Sequence, residues 1–237
     1  MITSLKNKVA LITGGSRGIG LAIARAFAGE GMRLALTATS RERLTEAAEE
    51  LAQMGNVEIF PADLTREEDL AQVVPEVRQT LGPIEVLVHS AGVFIREEAA
   101  RMSLEQWDLS MNLNVRAGFA LCRAVIPDMV GKGWGRIILI GSSSSYIGTK
   151  GGSAYCASKH ALLGLGRSLY HELREDNVRV HVVSPGTVAT DMGAQLAEQD
   201  ATTFIQPEEI AEMVLFLVKT EGNGIAEEVR VNRMIYR

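Results

Sequence analysis

The chain has 237 residues, of which 46% are hydrophobic and 22% are charged, and its formal net charge at pH 7 is −5. This length and composition predict a single globular domain over residues 1–237. The acidic balance argues against nucleic acid or an anionic membrane as a partner. No apolar run is long enough for a signal peptide or a membrane span, so we expect a cytoplasmic protein that does not bind membranes.

The cysteines and histidines give no sign of a metal site. The two cysteines lack CxxC spacing, and the four histidines show no HxxxH or HExxH pattern. The same spacing argues against a disulfide framework. We therefore expect no bound metal and no structural disulfide.

Short apolar runs alternate with longer helical patterns along the whole chain. Runs that are apolar on both faces are typical of strands covered by helices on both sides. The alternation therefore predicts the α/β class, with a Rossmann-like, doubly wound parallel sheet of about seven strands in a three-layer α/β/α arrangement. Strands are predicted near Val9–Thr13, Leu34–Thr37, Val57–Ala62, Val86–His89, Ile137–Ile140, Val178–Val183 and Val229–Val231. Helices are predicted near Ile19–Ala28, Arg41–Met54, Glu67–Leu81, Leu104–Lys132, Ala154–Glu175 and Pro207–Val218.

A glycine-rich turn, TGGSRGIG at residues 13–20, lies between the first strand and the first helix. Glycines there allow a tight turn and a close approach of the backbone to a pyrophosphate, whose charge is favoured at a helix N-terminus. The turn therefore predicts dinucleotide binding rather than a purely structural bend. The candidate contacts are Gly14, Ser16, Arg17, Gly18, Ile19 and Gly20.

The end of the second strand indicates the form of the dinucleotide. The sequence reads TATSR at residues 37–41, and no acid follows until Glu42. An acid at this point would bind the ribose hydroxyls of NAD, whereas a 2′-phosphate needs hydroxyl donors and cations. We therefore predict that NADP(H) is preferred, with NAD(H) as the alternative. The predicted 2′-phosphate contacts are Thr39, Ser40, Arg41 and Arg17.

A possible centre for proton transfer follows the fifth strand. Tyr155 and Lys159 are four residues apart in a predicted helix and so share one face. A nearby ammonium favours the phenolate, which suits proton exchange with an alcohol or a ketone. Ser142 precedes Tyr155 by thirteen residues, at the end of an apolar run, where its hydroxyl can reach the same oxygen. Taken alone, this spacing also occurs in many helices by chance.

With these motifs in view, the chain resembles a classical short-chain dehydrogenase/reductase from about Lys8 to Val231, and within that family the 3-oxoacyl-(acyl carrier protein) reductases. The resemblance implies a catalytic set of Asn114, Ser142, Tyr155 and Lys159. In this set Lys159 lowers the pKa of Tyr155 and holds the nicotinamide ribose, and Asn114 supports a water through which the proton leaves. It also implies cofactor contacts at Asp63, Leu64, Ser90, Ala91, Gly92, Tyr155, Lys159, Pro185, Gly186, Val188 and Thr190.

The chain departs from the family pattern at three places. The family's NNAG reads HSAG at residues 89–92, its VDGG reads VNRM at residues 231–234, and the predicted substrate lid at residues 191–206 is short. The second departure lies in a segment that takes part in the family's subunit contacts. We therefore expect a homo-oligomer, with a dimer as an alternative to the family's tetramer.

The leading functional hypothesis is an NADP(H)-dependent oxidoreductase that interconverts a carbonyl and a secondary alcohol, with Tyr155 as general acid/base and a 3-oxoacyl thioester as one candidate substrate. Within the same family, the alternative substrates are another small alcohol, a sugar or a hydroxy-amino acid. A non-catalytic nucleotide-binding regulatory protein is disfavoured, because every catalytic position holds the required residue type. The predicted substrate pocket comprises Phe94, Ser144, Tyr146, Ile147, Thr187, Met192 and Leu196.

Overall fold

The computed structural model of the protein describes residues 2–195 and 200–234. These residues form one parallel sheet of seven strands with helices on both faces, which confirms the predicted fold class. The strands are β1 (Val9–Thr13), β2 (Arg33–Thr37), β3 (Val57–Ile59), β4 (Val86–His89), β5 (Gly135–Ile140), β6 (Val178–Pro185) and β7 (Glu228–Val231). The main helices are α1 (Gly18–Gly29), α2 (Arg41–Leu51), α3 (Glu67–Leu81), α4 (Leu104–Met111), α5 (Ala117–Lys132), α6 (Ser153–Leu173) and α7 (Pro207–Lys219).

The strand order is β3-β2-β1-β4-β5-β6-β7, so the sheet is wound in both directions from β1. In the register, Thr13 at the end of β1 lies beside Thr37 of β2 and beside His89 of β4. The carboxyl ends of these three strands are therefore level. In open α/β sheets a ligand binds in the crevice at this reversal point.

Each face of the sheet is covered by its own apolar layer. On one face α1, α2 and α7 contribute residues such as Phe27, Leu44 and Val214. On the other face α3, α5 and α6 contribute residues such as Leu121 and Leu162. Each fully buried side chain of this size stabilises the fold by about 1.5–3 kcal/mol, so the two layers hold the strand ends in a fixed register.

Strand β3 is shorter than the predicted run to Ala62. The paired register ends with Ile59 beside Leu36, one residue before β2 ends at Thr37. The chain nevertheless continues alongside β2, because the N–H groups of Phe60 and Ala62 donate to the carbonyl oxygens of Leu36 and Ala38. After β3 the chain therefore forms a loop that runs from the edge of the sheet to the carboxyl ends of the strands.

The predicted helix Leu104–Lys132 is interrupted. Between α4 and α5 the residues Asn112–Arg116 form a π-helical turn, which shifts the backbone hydrogen-bond register by one residue. Asn114, within this turn, is fully buried. The interruption therefore determines where the predicted catalytic asparagine lies.

Candidate active site

A cleft of about 980 Å³ opens at the carboxyl ends of the strands. The glycine turn, the ends of β2, β4 and β5, the start of α6 and the segment after β6 form its walls. Most of the predicted contacts line it. They are Gly14, Ser16, Arg17, Gly18, Ile19, Thr39, Ser40, Asp63, Leu64, Ser90, Ala91, Gly92, Ser142, Tyr155, Lys159, Pro185, Gly186, Val188 and Thr190.

The glycine turn needs glycine for two different reasons. Gly14 has a φ of +65°, and a Cβ there would lie 3.0 Å from the backbone nitrogen of Ala91. Gly20 is absent from the cleft wall, and a Cβ there would lie 2.3 Å from the carbonyl oxygen of Gly14. Gly20 therefore serves close packing of α1 against the turn, while Gly14 leaves bare backbone beside the helix N-terminus. This cradle fits the pyrophosphate of a dinucleotide.

The turn is attached to β4 through one hydroxyl. Thr13 Oγ1 accepts hydrogen bonds from the backbone nitrogens of Ser90, at 3.1 Å, and Ala91, at 3.0 Å. A Cβ on Gly92 would lie 3.0 Å from Asn114 Oδ1, so that position also has no room for a side chain. The two walls of the cofactor half of the cleft are therefore held at a fixed separation.

The corner beyond β2 contains hydroxyls and a cation, but not the arginine that the sequence predicted. Ser40 is the N-cap of α2, and its Oγ accepts a hydrogen bond from the backbone nitrogen of Arg43 at 3.2 Å. Thr39, Ser40 and Arg43 line the cleft, whereas Arg41 does not. Residues three apart share one side of a helix, so the cap position brings Arg43 toward the cleft. Arg43 rather than Arg41 is therefore the candidate cation at this corner.

Arg17 lies at the rim of the cleft and is already paired. Its Nη1 donates to a carboxylate oxygen of Asp191, in the segment after β6, and both side chains are more than half exposed. The sequence predicted Arg17 as a cofactor contact in the glycine turn and beside the 2′-phosphate. In the structure it also connects the glycine turn to the start of the predicted lid.

The wall opposite α2 contains the predicted adenine contact. Asp63 Oδ1 accepts from the backbone nitrogen of Thr65, at 3.0 Å, and from its hydroxyl, at 2.7 Å. The Asp63 backbone nitrogen donates to Asp69 Oδ2 at 2.9 Å. These bonds hold the Asp63 side chain at the cleft wall, with Leu64 buried beside it.

Lys159 is buried one helical turn after Tyr155. Its Nζ donates to the backbone carbonyl oxygen of Ile140 at 2.7 Å and lies 5.7 Å from the centroid of the Tyr155 ring. Burial lowers the pKa of Lys159 to about 8. The two side chains share one face of α6, as the spacing predicts.

The pKa of Tyr155 differs from the expectation. Burial raises the pKa of the phenol above its ordinary value, and a side-chain hydrogen bond with Ser142 only partly opposes that effect. In the protein alone the net shift is therefore upward, opposite to the lowering that the resemblance implies, because desolvation of the buried phenolate is the largest effect. Ser142 Oγ also accepts from the backbone nitrogen of Ser144 at 3.1 Å, which fixes the direction of its hydroxyl.

Asn114 lies behind the cleft wall rather than on it. Its Oδ1 accepts from the backbone nitrogen of Val93 at 2.8 Å. Its Nδ2 donates to the carbonyl oxygen of Val93 at 3.0 Å and to Ser158 Oγ at 2.9 Å. The side chain therefore fastens the loop after β4 to α6.

The substrate half of the cleft agrees with most of the predicted pocket. Phe94 packs edge-on against Tyr155 with ring centroids 4.9 Å apart, and it lines the cleft together with Ser144, Ile147, Thr187 and Met192. Leu196 lies outside the described residues. Tyr146 is not part of the wall, because its hydroxyl donates to Glu228 at 3.2 Å and Arg230 stacks on its ring at 3.3 Å. These contacts turn Tyr146 toward β7.

Several cleft residues had not been predicted from the sequence. They include Arg43, Arg96, Lys150, Asn232 and Arg233. Asn232 and Arg233 belong to the unusual VNRM segment, whose departure from the family pattern was the sequence signal for them, although it predicted only a change in subunit contacts. Arg233 Nη1 donates to Thr203 Oγ1 at 3.0 Å. The C-terminal segment therefore meets the predicted lid at the cleft.

Across residues 2–195 and 200–234, His, Cys, Asp and Glu side chains do not assemble into a group of three that would suit a metal ion. Over the same ranges, the helices fall short of the length and apolar character that a membrane span requires.

Comparison with known proteins places this geometry in a family. The chain is 35% identical over 240 residues to the 3-oxoacyl-[acyl-carrier-protein] reductase FabG of Aquifex aeolicus, covering 97% of each chain. Among solved structures, a metagenomic short-chain oxidoreductase in complex with NADP is 34% identical, with a TM-score of 0.87 and coverage of 98% of this chain and 100% of that chain.

L-sorbose reductase from Gluconobacter frateurii, solved with NADPH and L-sorbose, is 29% identical, with a TM-score of 0.89 and coverage of 98% and 97%. The family model for short chain dehydrogenase matches residues 8–201. The resemblance inferred from the sequence motifs is thereby confirmed, and the chain belongs to the short chain dehydrogenase family.

Proposed function

We propose that this protein is an NADP(H)-dependent oxidoreductase that acts on CH–OH donors and interconverts a carbonyl with a secondary alcohol, with residues 1–237 acting as one catalytic domain. The observation that carries the proposal is the convergence of Ser142, Tyr155 and Lys159 on the wall of the cleft that also contains the glycine turn. Family membership and the NADP-bound relatives support the same activity.

The residues of the cleft fit NADP(H) in three parts. The glycine turn at the N-terminus of α1 suits the pyrophosphate, and Asp63 with Leu64 suits the adenine. Thr39, Ser40 and Arg43 suit the 2′-phosphate. When bound, the nicotinamide supplies or accepts the hydride of the reaction.

In the direction of reduction, Tyr155 is the acid. Its raised pKa keeps the phenol protonated near neutral pH, and it donates that proton to the carbonyl oxygen of the substrate. Ser142 hydrogen-bonds the same oxygen and so stabilises the charge that develops there. The Lys159 ammonium, 5.7 Å from the ring centroid, favours the phenolate that remains. Oxidation of the alcohol follows the same path in reverse.

The first candidate substrate is a 3-oxoacyl thioester. The name of the Aquifex aeolicus relative supports it, and so does the apolar wall formed by Phe94, Ile147 and Met192, which suits an acyl chain. A sugar is the second candidate. It is supported by the L-sorbose reductase relative and by the hydroxyls of Ser144, Thr149 and Thr187 on the same wall.

Consumption of NADPH with acetoacetyl thioesters, L-sorbose and a quinone tests the proposal. We expect turnover with at least one carbonyl, and loss of about 10²–10⁴-fold in kcat for Tyr155→Phe, with NADPH affinity retained. Failure to reduce any carbonyl in the panel, or full activity in Tyr155→Phe, would falsify the proposed function. A thioester turned over in preference to L-sorbose selects the first substrate class.

We further propose that the protein is a homo-oligomer. Phe119 on α5 is 47% exposed and Phe216 on α7 is 63% exposed. Aromatic side chains are enriched in protein–protein interfaces relative to the rest of the surface. Light scattering coupled to size exclusion measures the mass, and a dimer or tetramer is expected, whereas a monomer at micromolar concentration contradicts the proposal.

We propose a cytoplasmic location because neither cysteine forms a disulfide. Cys122 and Cys156 are both free and buried. Unpaired cysteines are typical of proteins kept in a reducing compartment. Fractionation of the source cells tests this, and recovery outside the cytoplasm contradicts it.

A further inference from the structure

His89 lies at the carboxyl end of β4, between the glycine turn and the π-helical turn Asn112–Arg116. It occupies the first position of the HSAG segment, where the family pattern has an asparagine, and its exposure is 1%. The mechanism above does not use it. A fully buried imidazole next to both halves of the active site calls for a physical explanation.

Thr13 fixes the tautomer of this imidazole. Thr13 Oγ1 already accepts the N–H groups of Ser90 and Ala91. A hydroxyl oxygen has two lone pairs, so only its hydrogen remains for His89 Nδ1, which lies 3.1 Å away. His89 Nδ1 is therefore an acceptor, and the neutral ring carries its hydrogen on Nε2.

The Nε2 edge of the ring faces the start of α5, directly after the π-helical turn. A Cβ on Gly118 would lie 2.9 Å from His89 Cδ2 and 3.2 Å from Nε2, so the ring packs against the first turn of α5. Burial and the charge of Lys159 lower the pKa of His89 to about 4, while backbone groups of Leu113 and Asn114 oppose that shift. Backbone groups of Leu113 and Asn114, in the π-helical turn, therefore lie close enough to the ring to favour its charged form.

We propose that His89, as its Nε2–H tautomer, is a positioning residue that holds the π-helical turn of Asn114 in register with the cofactor loop. One ring nitrogen is bonded to Thr13 at the start of the glycine turn, and the Nε2 edge packs at the start of α5, directly after the π-helical turn. Within the described ranges Nε2 is buried without a hydrogen-bond partner, so the ring positions the turn by packing rather than by a hydrogen bond. The inference rests on the proposed function, in which Asn114 serves catalysis.

The first test reads the tautomer from the ¹⁵N chemical shifts of the histidine rings in the whole protein. His181 is the internal reference, because it is equally buried and its Nδ1 lies 2.8 Å from the carbonyl oxygen of Ala226, to which it must donate. We expect protonation at Nε2 for His89 and at Nδ1 for His181, with assignments taken from His89→Asn and His181→Asn. A proton on Nδ1 of His89 overturns the proposal. This readout needs no substrate, so its outcome is separate from that of the proposed function.

The second test compares the activity of His89→Asn with that of His181→Asn, which separates a positioning role from a general loss of stability. His89→Asn keeps a short acceptor beside Thr13 but does not reach the π-helical turn. We expect kcat to fall by up to about 10²-fold with little change in NADPH affinity, while His181→Asn leaves kcat unchanged. His89→Gln, whose amide reaches further, restores part of kcat. Wild-type kcat in His89→Asn, or equal losses in both asparagine variants, overturns the proposal.

Discussion

Lys159 donates a hydrogen bond from Nζ to the backbone carbonyl oxygen of Ile140 at 2.7 Å. Ile140 is the last residue of β5, and Ser142 follows it two residues later. The bond therefore ties the start of α6 to the strand end that carries Ser142, the proposed catalytic serine. Because Lys159 is only 5% exposed, the sheet rather than solvent holds its ammonium.

Replacing Lys159 with methionine tests this burial through stability. The folded pKa of about 8 lies below the unfolded value of 10.5, so the unfolded chain binds more protons between these pH values. The free energy of unfolding of the wild type should therefore rise with pH across that window, by up to about 3 kcal/mol. Lys159→Met should lack this rise. Urea unfolding of both proteins at several pH values measures the free energy of unfolding. If it changes with pH in the same way in both proteins, the lysine is not buried as described.

The fold could be predicted from the sequence because its signals are local. Runs such as Val86–His89 are apolar throughout, and glycine punctuation marks where the first strand ends. The π-helical turn Asn112–Arg116 had no such signal, since one extra residue in a long helix leaves the apolar pattern almost unchanged. The end of β3 depends on how it pairs with its neighbour β2, which is a property of the sheet rather than of the segment.

The candidate site was predicted where chemistry is specified by residue type and spacing, as for Tyr155 and Lys159. The sequence did not predict the contacts that depend on the direction in which a side chain points. Arg43 rather than Arg41 faces the cleft because Ser40 caps α2, and Tyr146 turns away because Glu228 and Arg230 hold it. The raised pKa of Tyr155 follows from tertiary burial, which spacing alone does not reveal.

His181 should contribute to acid unfolding. Burial lowers its pKa to about 4 from 6.5, and the charges of Arg136 and Arg179 act in the same direction. As pH falls from 6.5 to about 4, the unfolded chain binds a proton on His181 before the folded chain does. The free energy of unfolding therefore falls, by up to about 3 kcal/mol for this group. His181→Asn should show a shallower loss of stability between these pH values in urea titrations. His171→Asn, at an exposed position, is the control and should follow the wild type. A wild-type slope in His181→Asn would contradict the prediction.

The ion pair between Arg17 and Asp191 should compete with a phosphate for the same guanidinium. Asp191→Asn releases Arg17, and because an exposed pair is worth at most about 1 kcal/mol, NADPH should bind up to about fivefold more tightly. NADH, which lacks the 2′-phosphate, should bind as before. Fluorescence titration with both nucleotides measures the change. In an Arg17→Ala background the gain from Asp191→Asn should disappear, and its persistence there would show that the pair is not the cause.

Arg43 and Arg41 form a matched pair for the choice of cofactor. Both are arginines in the first turn of α2, but only Arg43 lines the cleft beside Thr39 and Ser40. A hydrogen bond to a charged group contributes about 1.5–3 kcal/mol, so Arg43→Ala should weaken NADPH binding by about 10- to 100-fold. NADH binding should stay unchanged in Arg43→Ala, and Arg41→Ala should leave the affinity for both nucleotides close to that of the wild type. Dissociation constants from titration decide the matter. A larger loss of NADPH affinity in Arg41→Ala than in Arg43→Ala would mean that the cap at Ser40 does not direct the side chains as the cleft geometry indicates.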